Sequence, residues 1–355
     1  MRDGLIPEYN LSYKEFVSSK WIRYSSPVFK KGDPGNFDER VVASPFVLER
    51  DGGKFFLYYM GQNRDRNWAI GLANSRDLEH WEKRDMVLTQ SMIKWGEKPD
   101  GPFVSSKDGI YYLFYEATSS PHWLYRIQKK VNSRGLGFVR NMKFVKKIWD
   151  LYLFPNLPQA AVHAYNRSIG FATSVDGIRW NENDKNPIFT KEEQNLWESM
   201  GVFAPKIYRV NGQYWMYYSA TDGKKVCSGL AFSSDLRGWE RHKSNPILKA
   251  GGKSAWDERC AEVISVIKLA DGYVLFYEGE NSMNCYGVGI AYSADLMKWE
   301  KFVGNPVINA GKKGSFDDKI LVAPHAAVKD GRLYLFYSGF DSNGEGNIGL
   351  AALDK

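Results

Sequence analysis

Cysteine is scarce in this chain, with three in 355 residues. An odd set cannot build a disulfide framework, and Cys227, Cys260 and Cys285 contain no C-x-x-C pair. They read as small buried hydrophobes rather than as a redox or zinc motif. Long apolar runs are missing as well. No stretch approaches the roughly 18 apolar residues of a spanning helix, and the start, MRDGLIPEYN, carries no charged-then-apolar leader. The expectation is a soluble chain without a membrane span. It would be cytoplasmic if complete as numbered, and secreted or periplasmic if a leader has been removed. Nucleotide and redox motifs are lacking, so no cofactor and no metal are expected; a channel Ca²⁺ is compatible with the pattern below, but no ligand loop announces one.

Acid is in slight deficit, with Lys+Arg at 48 against Asp+Glu at 41 and a formal net charge of +7. Much of the imbalance is local. Arg126, Lys129, Lys130, Arg134, Arg140, Lys143, Lys146, Lys147 and Arg167 face only Asp150 between Ser119 and Arg167. Nucleic acid is not expected as a partner, because the segment has no reader motif and its aromatics do not alternate with its bases. Two readings stay open there: a solvated insert, or a rim that attracts an anionic partner.

What the chain has in abundance is repetition. An aromatic strand ending in Tyr appears as FFLYYMG (Phe55–Gly61), YYLFYEA (Tyr111–Ala117), YWMYYSA (Tyr214–Ala220), YVLFYEG (Tyr273–Gly279) and LYLFYSG (Leu333–Gly339). Each is entered through a D-G or N-G turn, a strong hairpin signal. Each is followed by a small-residue strand such as AIGLANS or GVGIAYS, and in most copies by S-x-D, a tryptophan and N-P. An apolar strand, usually with a proline, precedes it: VVASPFV, PDGPFV, VFAPKI, AEVISVI and LVAPHAAV. One such unit cannot bury its own apolar faces and must stack on its neighbours. Four antiparallel strands repeated radially describe an all-β, five-bladed β-propeller.

The fifth unit stops at NIGLAALDK, without a fourth strand. Trp21–Phe29 matches the missing piece, so an N-terminal strand is expected to complete the last blade and remove an open edge. The whole chain, 1–355, reads as one propeller domain, with a basic insert at 119–167 in blade two. That insert is either an added lid or the site of the blade's true outer strands.

Chemistry must lie where the copies differ. Two residues before the proline, the first strands carry Ala43, Asp100, Phe203, Glu262 and Val322. First strands line a propeller's channel, so these positions form one ring, with two carboxylates among apolar neighbours. Such groups are costly unless paired, hydrated or functional, and two on one ring suit acid/base catalysis. Pairing with an arginine, such as Arg40 or Arg259, is the structural alternative. Glu116 and Glu278 stand at second-strand ends where other blades have Met60, Ser219 and Ser338; they either bond a neighbouring strand or turn, or face substrate. His325 is the best-placed imidazole, in a column with Phe46, Phe103, Lys206 and Ser265, ahead of His122 and His163 in the insert. The acids before the first strands, Asp38-Glu39, Glu198, Asp257-Glu258 and Asp317-Asp318, recur and therefore read first as packing or capping groups. Asp38 and Arg40 remain substrate-facing candidates with Arg259.

Taken together, G-x-Y-x-L-x-Y, I-G-x-A-x-S-x-D-L-x-x-W-E-K and N-P-V-I resemble the five-bladed propeller glycosidases of glycoside hydrolase families 43, 32, 62, 68, 117 and 130. The resemblance implies a carbohydrate-active enzyme that acts on an oligo- or polysaccharide, an anionic one if the basic segment forms a rim. The leading expectation is an inverting glycoside hydrolase, with Glu262 as general acid and Asp100 as the base that activates water. Glu116, Glu278, Arg259 and His325 would position the sugar or tune the acids. The alternatives are a non-catalytic glycan-binding propeller, or a phosphorylase or transferase on the same scaffold. In families 43 and 32 an aspartate stands immediately before a proline; here that position holds Ser44, Gly101, Ala204 and Ala323. Oligomeric state leaves no mark in the sequence.

Overall fold

Tight turns set the hairpins from which everything else is built. The computed structural model describes residues 5–118 and 166–354. The basic rim, His122 and His163 lie outside the described residues. Asp108-Gly109, Asn211-Gly212 and Asp330-Gly331 have positive φ at both positions, from 49° to 81°. That conformation matches the twist of antiparallel strands and is easiest for Asn, Asp and Gly. It joins Glu97–Lys107 to Ile110–Thr118, Gly201–Val210 to Gln213–Thr221, and Ile320–Lys329 to Arg332–Phe340. Val41–Arg50 pairs likewise with Lys54–Gln62, and Cys260–Lys268 with Tyr273–Glu280.

The third strands, Trp68–Ser75, Arg167–Ser174, Val226–Ser233, Tyr286–Ser293 and Gly346–Asp354, add the next layer. In four units the central glycine is there because a tyrosine ring lies against it, and in unit two Gly170 meets Trp95 and Asn186 instead. A Cβ at Gly71 would come within 2.6 Å of the Tyr59 ring, and one at Gly229 within 2.8 Å of the Tyr218 ring. Fourth strands are short, as in Asn181–Glu182 and Glu300–Lys301. Each of the five first strands packs against the next, and the fifth returns to the first, closing a ring around a channel. This is the propeller expected from the repeats.

Lys20–Arg23 pairs antiparallel with Gly346–Asp354, Trp21 opposite Leu353, and Phe29 bridges to Ile348. The N-terminal strand thus supplies the fourth strand that the fifth unit lacks. Outer-strand order is preserved in unit two, where Arg167–Ser174 is its third strand.

A buried triad repeats near the outer end of four units. The Tyr59 hydroxyl donates to Asp38 at 3.0 Å, and Lys83 Nζ lies 2.6 Å from the same carboxylate. Tyr218, Glu198 and Arg241 repeat the arrangement, as do Tyr277, Asp257 and Lys301. In the fifth unit Tyr337 and Asp317 complete it with Arg23 of the N-terminal strand. Unit two exchanges the charges: Gly96 follows Trp95 where an acid stands elsewhere, and Glu182 occupies the cation's place and accepts from Tyr115 at 3.2 Å. Asp38 is therefore a packing group, not a substrate ligand. Its side chain is 2% exposed, and its Oδ2 is shared by Tyr59 and Lys83.

Candidate active site

The site begins with a kink. Every first strand slips register where it nears the channel: pairing passes from Ala43–Met60 to Phe46–Tyr58, from Asp100–Glu116 to Phe103–Phe114, and from Val322–Ser338 to His325–Phe336. Such bulges re-aim side chains. The residue before the proline takes φ of 50–57° at Ser44, Gly101, Ala204 and Ala323, a strained value for all but the glycine. Unit four, which lacks the proline, has the same one-residue bulge, between Val263 and Ser265, without a positive φ there.

Each bulge turns a backbone N–H toward the preceding unit, which must satisfy it. Ser44 N–H donates to Ser338 Oγ at 2.8 Å, Val263 N–H to Ser228 Oγ at 2.9 Å, Ala323 N–H to Glu278 Oε2 at 2.8 Å, and Ala204 N–H to Glu116. Before unit two stands Met60, which offers no such acceptor, and Gly101 N–H is 2.7 Å from its own Asp100 Oδ1. Glu116 and Glu278 thus clamp neighbouring units together, as one of their two sequence readings anticipated.

They are also half of two cross-strand carboxylate pairs, Asp100 with Glu116 and Glu262 with Glu278. Arg167 closes the first pair: its guanidinium bonds Glu116 and lies 3.7 Å from Asp100 Oδ2, and its side chain is 3% exposed. Burial pushes Glu116 above the usual carboxylate range, opposed by Arg167 and helped by Asp100. The second pair has no arginine. Burial, then Glu278, Glu116 and Asp100, hold the Glu262 carboxyl well above its ordinary range, with Lys206 pulling the other way. Glu278 is pushed up to about 7, again by burial first, with the Ala323 N–H opposing. Among the described residues Glu262 has no hydrogen-bond partner. It is the one buried acid of the four left uncommitted.

Around the first pair the charge is positive. The Arg167 guanidinium lies over the Trp68 ring, 5.7 Å from its centre. Lys98 sits half-buried beside them, its ammonium destabilised by burial, then by Arg167, and also by Arg66, against the pull of Glu97. Cys260, Glu262 and Glu278 have ligand atoms within 4.8 Å of one another. Burial holds the Cys260 thiol, like both carboxyls, toward its protonated form. A metal ion there would have to displace those protons.

His325 lies below the carboxylates, in a floor formed one residue past each bulge. It donates from Nε2 to the Val47 carbonyl at 3.2 Å and packs 4.9 Å from the Phe46 ring. Burial brings its pKa down to about 3, so the ring is neutral. A cavity of about 1150 Å³ opens on the far side of this floor, lined by Phe46, Phe103, Ser265, His325 and Tyr9 and by none of the four acids. The structure therefore places His325 away from the expected sugar contact, facing the opposite end of the channel. Arg40 bonds Gln62 at 3.4 Å and Arg259 bonds Asn284 at 3.3 Å. Neither pairs with Asp100 or Glu262; the arginine that lies against Asp100 is Arg167, as the alternative reading allowed, and Glu262 has none among the described residues. Sequence reasoning missed Arg167, taken as the last base of the insert, and Lys206, the only cation in the His325 column. Its signal was its being charged where Phe46 and Phe103 are aromatic.

A propeller with carboxylates gathered at one end of its channel falls among the propeller glycosidases and is a carbohydrate-active enzyme. The match to glycoside hydrolase family 130, described as beta-1,4-mannooligosaccharide phosphorylase, spans residues 159–355, and the chain belongs to that family. It takes in Arg167, Lys206, Glu262 and Glu278 but not Asp100 or Glu116. Two relatives come from Thermoanaerobacter sp. (strain X514). A 1,2-beta-oligomannan phosphorylase is 25% identical over 56% of this chain and 82% of its own. A beta-1,2-mannobiose phosphorylase is 29% identical over 53% of this chain and 77% of its own. A solved glycoside hydrolase superposes over 98% of this chain and 96% of its own with a TM-score of 0.70 at 18% identity, a likeness of fold. Among the described residues no helix is long and apolar enough to cross a membrane.

Proposed function

We propose that this chain is a phosphorylase of β-linked mannose oligosaccharides, and that the hydrolysis expected from sequence gives way to attack by inorganic phosphate. The observation that carries this is the division of labour between the two carboxylate pairs. One acid, Glu262, is buried, held toward its protonated form and, among the described residues, free of hydrogen bonds. The other pair is bonded by Arg167, and Arg167 and Arg66 in turn are close enough to Lys98 to disfavour its charge. Phosphorolysis needs one protein acid and a seat for an anion; it needs no protein base, because phosphate is itself the nucleophile. The family and both phosphorylase relatives support the same reading.

In this scheme Glu262 gives its proton to the glycosidic oxygen as the bond to the anomeric carbon breaks. A phosphate oxygen, steered by Arg167 and Lys98, forms the new bond from the opposite face. The products are a sugar 1-phosphate and a chain one residue shorter, and Glu262 recovers its proton from solvent. Trp68, under the guanidinium, offers an apolar face for the sugar ring.

The test is to incubate the protein with β-1,2- and β-1,4-mannobiose with and without phosphate. Sugar 1-phosphate formed only with phosphate is the expected result. Free mannose released equally in both arms would replace this reading by hydrolysis, with Asp100 as base.

A further inference from the structure

Unit four sets a thiol beside its two carboxyls. Cys260 and Glu262 lie two residues apart on one strand, so their side chains share a face, and Glu278 stands directly opposite Glu262. Units one, three and five have apolar, glycine or serine residues in these three places, and unit two has Lys98 where the thiol would be. The Cys260 Sγ and a carboxylate oxygen of each glutamate lie within 4.8 Å of one another. A tetrahedral zinc ion would hold such atoms roughly 3.3–3.7 Å apart, so side-chain shifts of about an ångström would close the set around one.

Glu262 aims into this space without a partner. It is 8% exposed and makes no hydrogen bond and no ion pair among the described residues. Buried polar groups are almost always paired, so one left open is a place for something to bind. Glu278, 9% exposed, accepts the Ala323 N–H on one oxygen and keeps the other. Cys260, 1% exposed, packs with Phe203, Ala204 and Val226, an apolar wall that strengthens the pull of any charge the set receives.

We infer that Cys260, Glu262 and Glu278 form a binding site for a thiophilic divalent cation of the zinc type. By taking the Glu262 carboxylate, the ion excludes the proton that cleavage of the glycosidic bond uses, so it inhibits. The thiolate sets the choice of ion: it suits zinc, whereas magnesium and calcium take oxygen shells. Zinc enters by displacing the protons of its ligands to solvent, as it does at cysteine sites generally, and water completes the shell. The inhibition rests on the phosphorylase reading; the binding of the ion does not.

Binding is tested first, on chelator-treated protein titrated with zinc chloride in a calorimeter. One ion per chain should bind, and excess magnesium or calcium should not displace it. X-ray absorption at the zinc edge then reads the shell in the native protein, where one sulfur at about 2.3 Å and otherwise oxygen is expected. A shell without sulfur, with two sulfurs or with imidazole overturns the site, and this holds even if no variant folds. Cys260→Ala should remove the sulfur and weaken zinc at least about tenfold, whereas Cys285→Ala, at the exposed thiol, should do neither. In the phosphorolysis assay zinc should lower kcat and a chelator should restore it. Half-inhibition of Cys260→Ala, measured against its own metal-free rate, should need at least about tenfold more zinc. Equal sensitivity of the two proteins overturns the inference. A one-sulfur shell in a protein that releases no sugar 1-phosphate would uphold the site and sink the phosphorylase reading alone.

Discussion

Units two and four carry the same kind of pair in the same register, a first-strand acid (Asp100 or Glu262) opposite a second-strand glutamate, and put it to opposite uses. In unit two an arginine from the neighbouring third strand reaches into the pair and bonds it. In unit four the equivalent third-strand position holds Tyr286, and the nearest cation, Lys206, stays out of contact. Arginine, planar and always charged, turns one pair into a fixed anion clamp. Desolvation without a contact ion turns the other into a proton store. Position on the ring made both pairs candidates, but the partner of each pair decided its chemistry.

The sharpest way to break this contrast is to neutralise one acid at a time. Glu262→Gln keeps shape and removes the transferable proton, and should lower turnover at least about a hundredfold. Glu116→Gln still accepts the Ala204 N–H and should lower it less than about tenfold. Asp100→Asn separates the mechanisms: a hydrolase would lose its base and nearly all activity, whereas phosphate-dependent cleavage should persist. Equal losses in Glu262→Gln and Glu116→Gln would dissolve the distinction between the pairs.

Next in size is Arg167→Met, which leaves Glu116 and Asp100 facing each other without a cation. Removing one partner from a buried pair costs roughly 3–5 kcal/mol, read as a fall in denaturation midpoint. If Arg167 also seats the anion, KM for phosphate should rise by about tenfold or more. A stability loss with unchanged phosphate dependence would leave Arg167 a purely structural group.

Much of this was legible in the sequence because repetition converts alignment into geometry. The five D-G and N-G turns fixed the hairpins, and Trp21–Phe29 announced the closing strand through its likeness to Trp299–Val307. One alignment column brought Asp100 and Glu262 to the same ring. What the sequence hid was partnership across units. Whether Glu278 ends on a sugar or on the Ala323 N–H depends on a bulge whose φ no motif displays. Arg167 lies 51 residues beyond Glu116, across the insert, so no local spacing links them. Asp38 and His325 misled for the converse reason: each is an ordinary packing group that looks chemical when its contacts are unseen.

A third test uses pH. A carboxyl raised from about 4.5 to about 7 in the folded chain binds a proton there that the unfolded chain has already lost. Folding is therefore unpenalised by Glu278 below about pH 4.5, and the penalty grows as pH rises toward 7, reaching roughly 3 kcal/mol. Glu278→Gln should flatten that part of the stability curve and gain most over the wild type near pH 8. Parallel curves for the two proteins would mean that Glu278 titrates normally, and unit four would then be no different from unit two.

The smallest effect is expected at Ser338, and it isolates what the second-strand ends do apart from chemistry. Ser338 occupies in unit five the place of Glu116 and Glu278, and its Oγ accepts the Ser44 N–H of the next unit. It carries no charge and pairs with Val322, so it contributes only the clamp. Ser338→Ala leaves that bulge N–H unsatisfied in a buried setting, at a cost of about 1–3 kcal/mol, with the pH profile of turnover unchanged. Glu278→Ser is its mirror: it imports the clamp residue of unit five into unit four, and should keep the fold while moving the pH profile. If Ser338→Ala shifts the profile as well, clamping and proton storage are not separable. The glutamates would then act by holding the units in register rather than by their charge.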